Sequence, residues 1–275
     1  MNKVHLGLYE KSMPESFSVE EKLTLAKKAG FDFMEISIDE TDKKMSRIFN
    51  KDIRKDIINA KNNAGFLIKT MCLSGHRKYP LGSEDTETRK KSLEIMQAAI
   101  DFSVDVGIRI IQLAGYDVYY IESNEKTAEY FLEGLYKCTE MASRAGVMMG
   151  FETMETPFMN TAAKAKKYVD AVNSPYLKIY PDIGNITNGT DDCLGDLKCA
   201  KGDIIAAHLK ETVPGVYRDM EFGQGRVDFK SCIDELLSQG VRIFNLEFWY
   251  DGKTDPFEYV MRNKNYVEKI FAGNR

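Results

Sequence analysis

The chain has 275 residues, 43% of them hydrophobic, which is apolar material enough for one large α/β domain or two small ones. With 38 basic against 42 acidic residues the net charge is -4, so there is no general attraction for nucleic acid or for an anionic membrane surface. Five cysteines without a paired short spacing, a start from Met1 to His5 without a long apolar segment, and no run near the roughly 20 apolar residues of a membrane helix predict reduced thiols and a cytoplasmic protein.

Residues 3–9 read as a first strand. Ser18 and Glu21 then form a capping box for a helix that stops at Gly30. Residues 33–38 are a second strand, and a single charged amphipathic helix is expected over about 43–64. A third strand over 67–73 leads into a polar loop over 74–83 and a helix over 84–106 ended by Gly107. The alternation continues with a strand at 108–113, a helix at 125–145, a strand at 147–154, a helix at 161–172 and a strand at 177–180. A short helix near 193–200 precedes a strand at 204–209 and a long loop over 210–227. Asp228 caps a helix ending at Gly240, residues 243–248 form the last strand, and the last helix begins near Asp255 and Pro256. Eight strand-then-helix units in a chain near the typical length of about 250 residues predict a (β/α)8 TIM barrel, with 1–275 as a single domain. An open doubly wound sheet competes, but no G-x-G-x-x-G turn follows the first strand.

Strand residues alternate between the barrel interior and the helix layer. With Glu152 inward, Gly150 and Met148 also point in, while Phe151 and Met149 pack outward. The same step puts Ala206, His208 and Lys210 inward on the seventh strand, with Ile205, Ala207 and Leu209 outward. On the eighth it puts Ile243, Asn245 and Glu247 inward, and Asp182 follows Tyr180 on the sixth. Active-site groups of such barrels gather at the C-terminal ends of the strands. Glu152, Asp182, His208 and Glu247 form a donor set for one divalent ion, with Zn²⁺, Mn²⁺, Mg²⁺ and Co²⁺ all compatible. Singly, each is more often a structural hydrogen-bond or ion-pair partner. Four on separate strand ends favour the metal, because three carboxylates at one mouth repel one another without a cation.

Other polar residues surround the same end. Glu35 and Gln112 face inward and serve either as substrate contacts or as members of a buried network. His76 is a candidate donor to a substrate oxygen, and Arg77 is either a phosphate fork or a solvated loop cation. Lys210 stabilises an enolate oxygen, contacts phosphate or neutralises a carboxylate. Tyr116, Tyr119, Tyr120 and Trp249 either cover a sugar face or pack beneath loops. Gly223 and Gly225 let the long loop turn tightly and are weak signals of phosphate binding. Glu155 reads as an ordinary loop carboxylate.

At these residues the chain resembles the L-ribulose-5-phosphate 3-epimerases of the xylose-isomerase-like barrel superfamily. The likeness runs nearly end to end. It is carried by Leu6-Gly7-Leu8-Tyr9-Glu10-Lys11, Phe31-Asp32-Phe33-Met34-Glu35, Met71-Cys72-Leu73-Ser74 with His76-Arg77, and Pro80-Leu81-Gly82-Ser83-Glu84-Asp85. Further on it is carried by 112–120, by Tyr180-Pro181-Asp182-Ile183-Gly184-Asn185 and by the loop from His208 through Pro214-Gly215-Val216 to Asp228-Phe229. Many relatives in the superfamily have histidine where this chain has Asn185. The resemblance implies that Glu152, Asp182, His208 and Glu247 hold the metal and that Glu152 and Glu247 are the paired acid and base. It also implies a sugar phosphate of L-ascorbate and L-xylulose utilisation as substrate.

The C2 carbonyl of such a ketose acidifies the C3 hydrogen. A cation on the C2 and C3 oxygens would stabilise a cis-enediolate, while one carboxylate removes the C3 proton and the other delivers a proton to the opposite face. Another ketose, aldose–ketose isomerisation or a non-catalytic sugar-binding barrel are the rival readings. A trinuclear zinc nuclease is disfavoured by three histidines and no basic excess. A homodimer is expected, with neither nucleic acid nor membrane as partner.

Overall fold

The computed structural model describes residues 3–273, so the expected domain 1–275 and its start at Met1 extend over two residues at each end that lie outside the described residues. The strands are β1 (His5–Tyr9), β2 (Phe33–Ile38), β3 (Ile68–Leu73), β4 (Ile110–Ala114), β5 (Met148–Glu152), β6 (Leu177–Ile179), β7 (Ala207–Leu209) and β8 (Ile243–Leu246). They form one parallel sheet in the order β6-β5-β4-β3-β2-β1-β8-β7. Isolated pairings join its two ends. Ile179 pairs with Ile204 and Asp182 with His208, and the His208 N–H donates to the Pro181 carbonyl at 2.9 Å. The sheet therefore closes into the expected (β/α)8 barrel, and the closing seam sets Asp182 opposite His208.

Ten α-helices, counted among the described residues, surround it: α1 (Val19–Lys28), α2 (Asp42–Phe49), α3 (Lys51–Ala64), α4 (Thr86–Val106), α5 (Glu125–Ala145), α6 (Ala162–Val172), α7 (Ile183–Gly189), α8 (Cys193–Cys199), α9 (Phe229–Ser238) and α10 (Pro256–Ala272). None is long and apolar enough to cross a membrane. The outer strand faces bury Leu8, Ile36, Met149, Phe151, Leu209 and Phe244 against this layer, each contributing about 1.5–3 kcal/mol. Inside, Ile110, Tyr180 and Ala206 pack with Met148, Ile205 and Ile243, filling the barrel beneath its mouth. Gly7 is required on β1, because a Cβ there would lie 2.2 Å from a Phe33 ring carbon and 2.6 Å from Asn245 Oδ1.

Three expectations are corrected. The helix over 43–64 is two helices, because Asn50 leaves helical geometry at ψ 118 and its Oδ1 accepts from the Asp52 and Ile53 amides, restarting the chain as α3. A helix absent from the sequence reading, α7, follows β6, with Asp182 as its N-cap and its Oδ1 accepting from Asn185 N at 2.9 Å. Gly184, Asn185, Asn188 and Gly189 read as turn residues, and packing overrides that preference. Ile205 packs inside the barrel, since regular pairing with β8 begins only at Ala207 and the alternation does not extend before it.

Candidate active site

Strand register brings the four candidate ligands to one level. Glu152 ends β5 opposite Ala114, and His208 on β7 pairs with Asn245, two residues before Glu247. Asp182 caps α7. Glu152, Asp182, His208 and Glu247 are all buried, and one ligand atom from each lies within 4.8 Å of the others. His208 Nδ1 is 2.7 Å from Glu247 Oε2 and 3.4 Å from Glu152 Oε1. Lys210 Nζ is 2.6 Å from Asp182 Oδ2 and 3.9 Å from Glu247 Oε2.

Burial pushes the Glu152 carboxyl above its usual range, and the Glu247 charge adds to this. Burial also lifts Asp182 to about 7, although Lys210 opposes it. Glu247 goes the other way. Burial would raise it, but Lys210 and His208 outweigh burial and hold it well below the carboxylate range. Burial would depress the His208 imidazolium, yet Glu35 and Glu247 reverse this and hold it well above 6.5. Asp182 Oδ2, His208 Nδ1 and Glu247 Oε2 are enclosed without an aligned hydrogen-bond partner, although opposite charges stand within ion-pair distance. Three unaligned donor atoms, all of oxygen or imidazole type and converging on one point, suit a hard or borderline divalent ion.

Above this group lies a narrow cleft of about 70 Å³ that opens to solvent. Its wall includes Arg77 and Lys210, two of the five expected substrate residues. The other three do not reach it. Glu35 is fully buried beneath His208, with both carboxylate oxygens occupied by protein donors. Gln112 is enclosed two residues below Glu152, opposite Gly150, and its amide has no hydrogen-bond partner among the described residues. His76 turns away and binds the Ser92 carbonyl of α4 through Nε2 at 3.0 Å, and burial lowers its pKa to about 4.

Several wall residues had no strong sequence signal. Lys11 follows β1 in a short 3-10 turn and pairs with Asp39 at 2.7 Å. Arg218, on the long loop, lies 5.4 Å over the Trp249 ring and 3.4 Å from Glu155. Glu155 itself lines the cleft and accepts from Tyr119 OH at 3.1 Å, so it is no ordinary loop carboxylate. The signal available was position alone: each follows the C-terminal end of a strand, where parity arguments stop. Of the aromatics, Trp249 lines the cleft and Tyr119 packs 4.5 Å beneath Arg77. Tyr116 is buried and donates to the Ser74 carbonyl, while Tyr120 is exposed and donates to Glu40. The Gly-Gln-Gly turn wraps an internal carboxylate. Glu211 accepts from the amides of Thr212, Gly223 and Val227, and a Cβ on Gly225 would stand 2.3 Å from its Oε1.

Known proteins resemble this chain over nearly its whole length. L-ribulose-5-phosphate 3-epimerase UlaE of Shigella boydii is 44% identical over 272 residues, covering 98% of this chain and 96% of that protein. UlaE of Escherichia coli matches to the same extent, with 44% identity over 98% of this chain and 96% of its own. Among solved structures, an L-ribulose 3-epimerase superposes with a TM-score of 0.80 at 19% identity, covering 98% of this chain and 97% of the other. The D-allulose 3-epimerase of Methylomonas sp., solved with D-allulose, gives 0.80 at 16% identity and 97% coverage of both chains. At such identities the superpositions speak for the fold. Residues 23–270 match the family model described as xylose isomerase-like TIM barrel. Closed barrel, strand-end carboxylates and full-length similarity agree, and the chain belongs to the xylose isomerase-like TIM barrel family.

Proposed function

We propose that the protein is a sugar-phosphate 3-epimerase interconverting L-ribulose 5-phosphate and L-xylulose 5-phosphate. The observation that carries this reading is 44% identity over 98% of the chain to proteins named for that reaction. The site geometry supports it chemically. Glu152 and Glu247 enter one cleft from β5 and from the end of β8, strands separated by β6 and β7 around the barrel, so they approach a bound ketose from different sides. One carboxylate takes the C3 proton and the other returns a proton to the opposite face, and the roles exchange with reaction direction. Asp182 and His208 complete the donor set that would hold a divalent ion with these two carboxylates. When bound, such an ion supplies Lewis-acid polarisation of the ketone oxygen. Lys210, beside Asp182, offsets part of the negative charge that three carboxylates place at the mouth.

Arg77 carries the phosphate reading. Its guanidinium stacks on Tyr119 at the cleft wall, and among the described residues its Nε has no hydrogen-bond partner and no carboxylate stands within ion-pair distance of it. Lys11 and Arg218 add positive charge to the same wall. The same reading places the enzyme in the cytoplasm as a homodimer. Exposed Tyr120 and Ile121 offer apolar area to a second copy, and sedimentation at a monomer mass would refute the dimer.

The test is activity on L-xylulose 5-phosphate before and after chelation. Chelated protein should be inactive and should recover with one of Mn²⁺, Zn²⁺, Mg²⁺ or Co²⁺. Glu152→Gln and Glu247→Gln should each remain folded and nearly inactive. Full turnover by thoroughly metal-free protein, or by either variant, refutes the scheme.

A further inference from the structure

We infer that Glu35 is a positioning residue. It holds the His208 ring with Nε2–H directed into the barrel and Nδ1 presented to the cation. The inference rests on the metal reading proposed above. Glu35 stands on β2, three strands away from β7 around the barrel, and is fully buried. Its Oε1 is 2.6 Å from His208 Nε2 and accepts from Asn245 Nδ2 at 2.8 Å. Its Oε2 accepts from Thr70 Oγ1 at 2.7 Å and Tyr180 OH at 3.0 Å. Four donors from four other strands or strand ends therefore converge on one carboxylate.

An ionised carboxylate only accepts, so the His208 nitrogen facing it must carry the hydrogen. When a cation binds, the other nitrogen, Nδ1, is then the one that gives up its hydrogen and offers a lone pair, and Nδ1 is the atom that faces Glu152 and Glu247. The ring plane is held as well. Tyr180 meets it edge-on with centroids 4.9 Å apart, and the hydroxyl of the same tyrosine binds Glu35. A carboxylate behind a metal-bound imidazole fixes its orientation and makes it a stronger donor. Gly7 belongs to the same device, because any side chain there would displace Asn245, which holds Glu35 Oε1.

Two variants separate orientation from charge. In Glu35→Gln the amide oxygen can replace Oε1 toward His208 and Asn245, while the NH₂ group donates to the Thr70 and Tyr180 hydroxyls, which also accept. Geometry is kept and charge is lost. In Glu35→Ala both are lost. The readout is the dissociation constant of metal-stripped protein for Mn²⁺ and Zn²⁺ by titration calorimetry, with circular dichroism to verify folding. Glu35→Ala should bind roughly 10–100-fold more weakly, and Glu35→Gln should lie between it and the parent. A folded Glu35→Ala protein binding both ions like the parent overturns the inference and leaves the metal reading standing. A parent that binds neither ion overturns both. Should Glu35→Ala not fold, Glu35→Gln decides: weaker binding than the parent is expected, and equal or tighter binding overturns the inference. Long-range ¹H–¹⁵N spectra of the Zn²⁺-loaded parent, which has only His5, His76 and His208 to assign, give a second readout. His208 should carry its proton on Nε2, and a proton on Nδ1 overturns the inference.

Discussion

His76 is expected to weaken folding in acid. The ring is 2% exposed, its Nε2–H donates to the Ser92 carbonyl at 3.0 Å, and no carboxylate among the described residues pairs with it. Burial holds its pKa at about 4, against 6.5 for an exposed histidine. Between those values the unfolded chain binds a proton that the folded chain refuses. Stability from this group is therefore complete above pH 6.5 and is lost as the pH falls toward 4. Each pH unit is worth about 1.4 kcal/mol, so the whole window is worth roughly 3 kcal/mol. In His76→Gln the side-chain amide can still donate to Ser92 but does not titrate. Urea unfolding of both proteins at a series of pH values gives the difference in stability. That difference cancels His208, the carboxylates and every other group the two proteins share. The parent's advantage should shrink, or reverse, by about 3 kcal/mol between pH 7 and pH 4. A difference that stays constant over the window would refute a buried neutral imidazole and return His76 to a solvated position at the cleft.

Three further outcomes are expected. Glu10 is fully buried and meets Lys22, Lys44 and Arg47, all nearly buried themselves; Glu10→Ala strands these cations and should cost about 3–5 kcal/mol in chemical unfolding, with a loss below 1 kcal/mol contradicting the cluster's role. Gly225→Ala drives a methyl into Glu211 Oε1 and the Thr212 carbonyl, 2.3 and 2.4 Å away; it should cost about 1–3 kcal/mol and loosen the loop bearing Arg218, read as faster proteolysis within residues 210–227. Arg77→Ala should raise KM for the phosphorylated ketose far more than for the free ketose, and an equal rise for both would exclude a direct phosphate contact.

Legibility along this chain follows where the physics is local. The apolar strands with glycine-stopped helices repeated eight times, and that alternation implied the barrel before any contact was known. Capping chemistry was equally plain at Ser18 and Glu21, where both reciprocal bonds form. Parity carried Glu152, His208 and Glu247 to one mouth because all three stand on or just beyond regular strands. It failed at Ile205, which precedes the regular part of β7, and it has no force in loops, where Lys11, Glu155 and Arg218 turn back over the cleft. Glu35 and His76 show the deeper limit. An inward polar residue on a strand and a histidine on a mouth loop look alike as substrate contacts. Only the distances to His208 and to Ser92 place one beneath the site and the other beside α4.

The central claim is proton exchange at C3 between two opposed carboxylates. Conversion of L-xylulose 5-phosphate in D₂O by the metal-loaded protein, followed by ¹H and ¹³C NMR, tests it most directly. Each product molecule should carry deuterium at C3 and none at C1, while substrate recovered early remains protiated because a different carboxylate faces it. Deuterium at C1 in place of C3, or bound ligand with no deuterium uptake, would contradict the account.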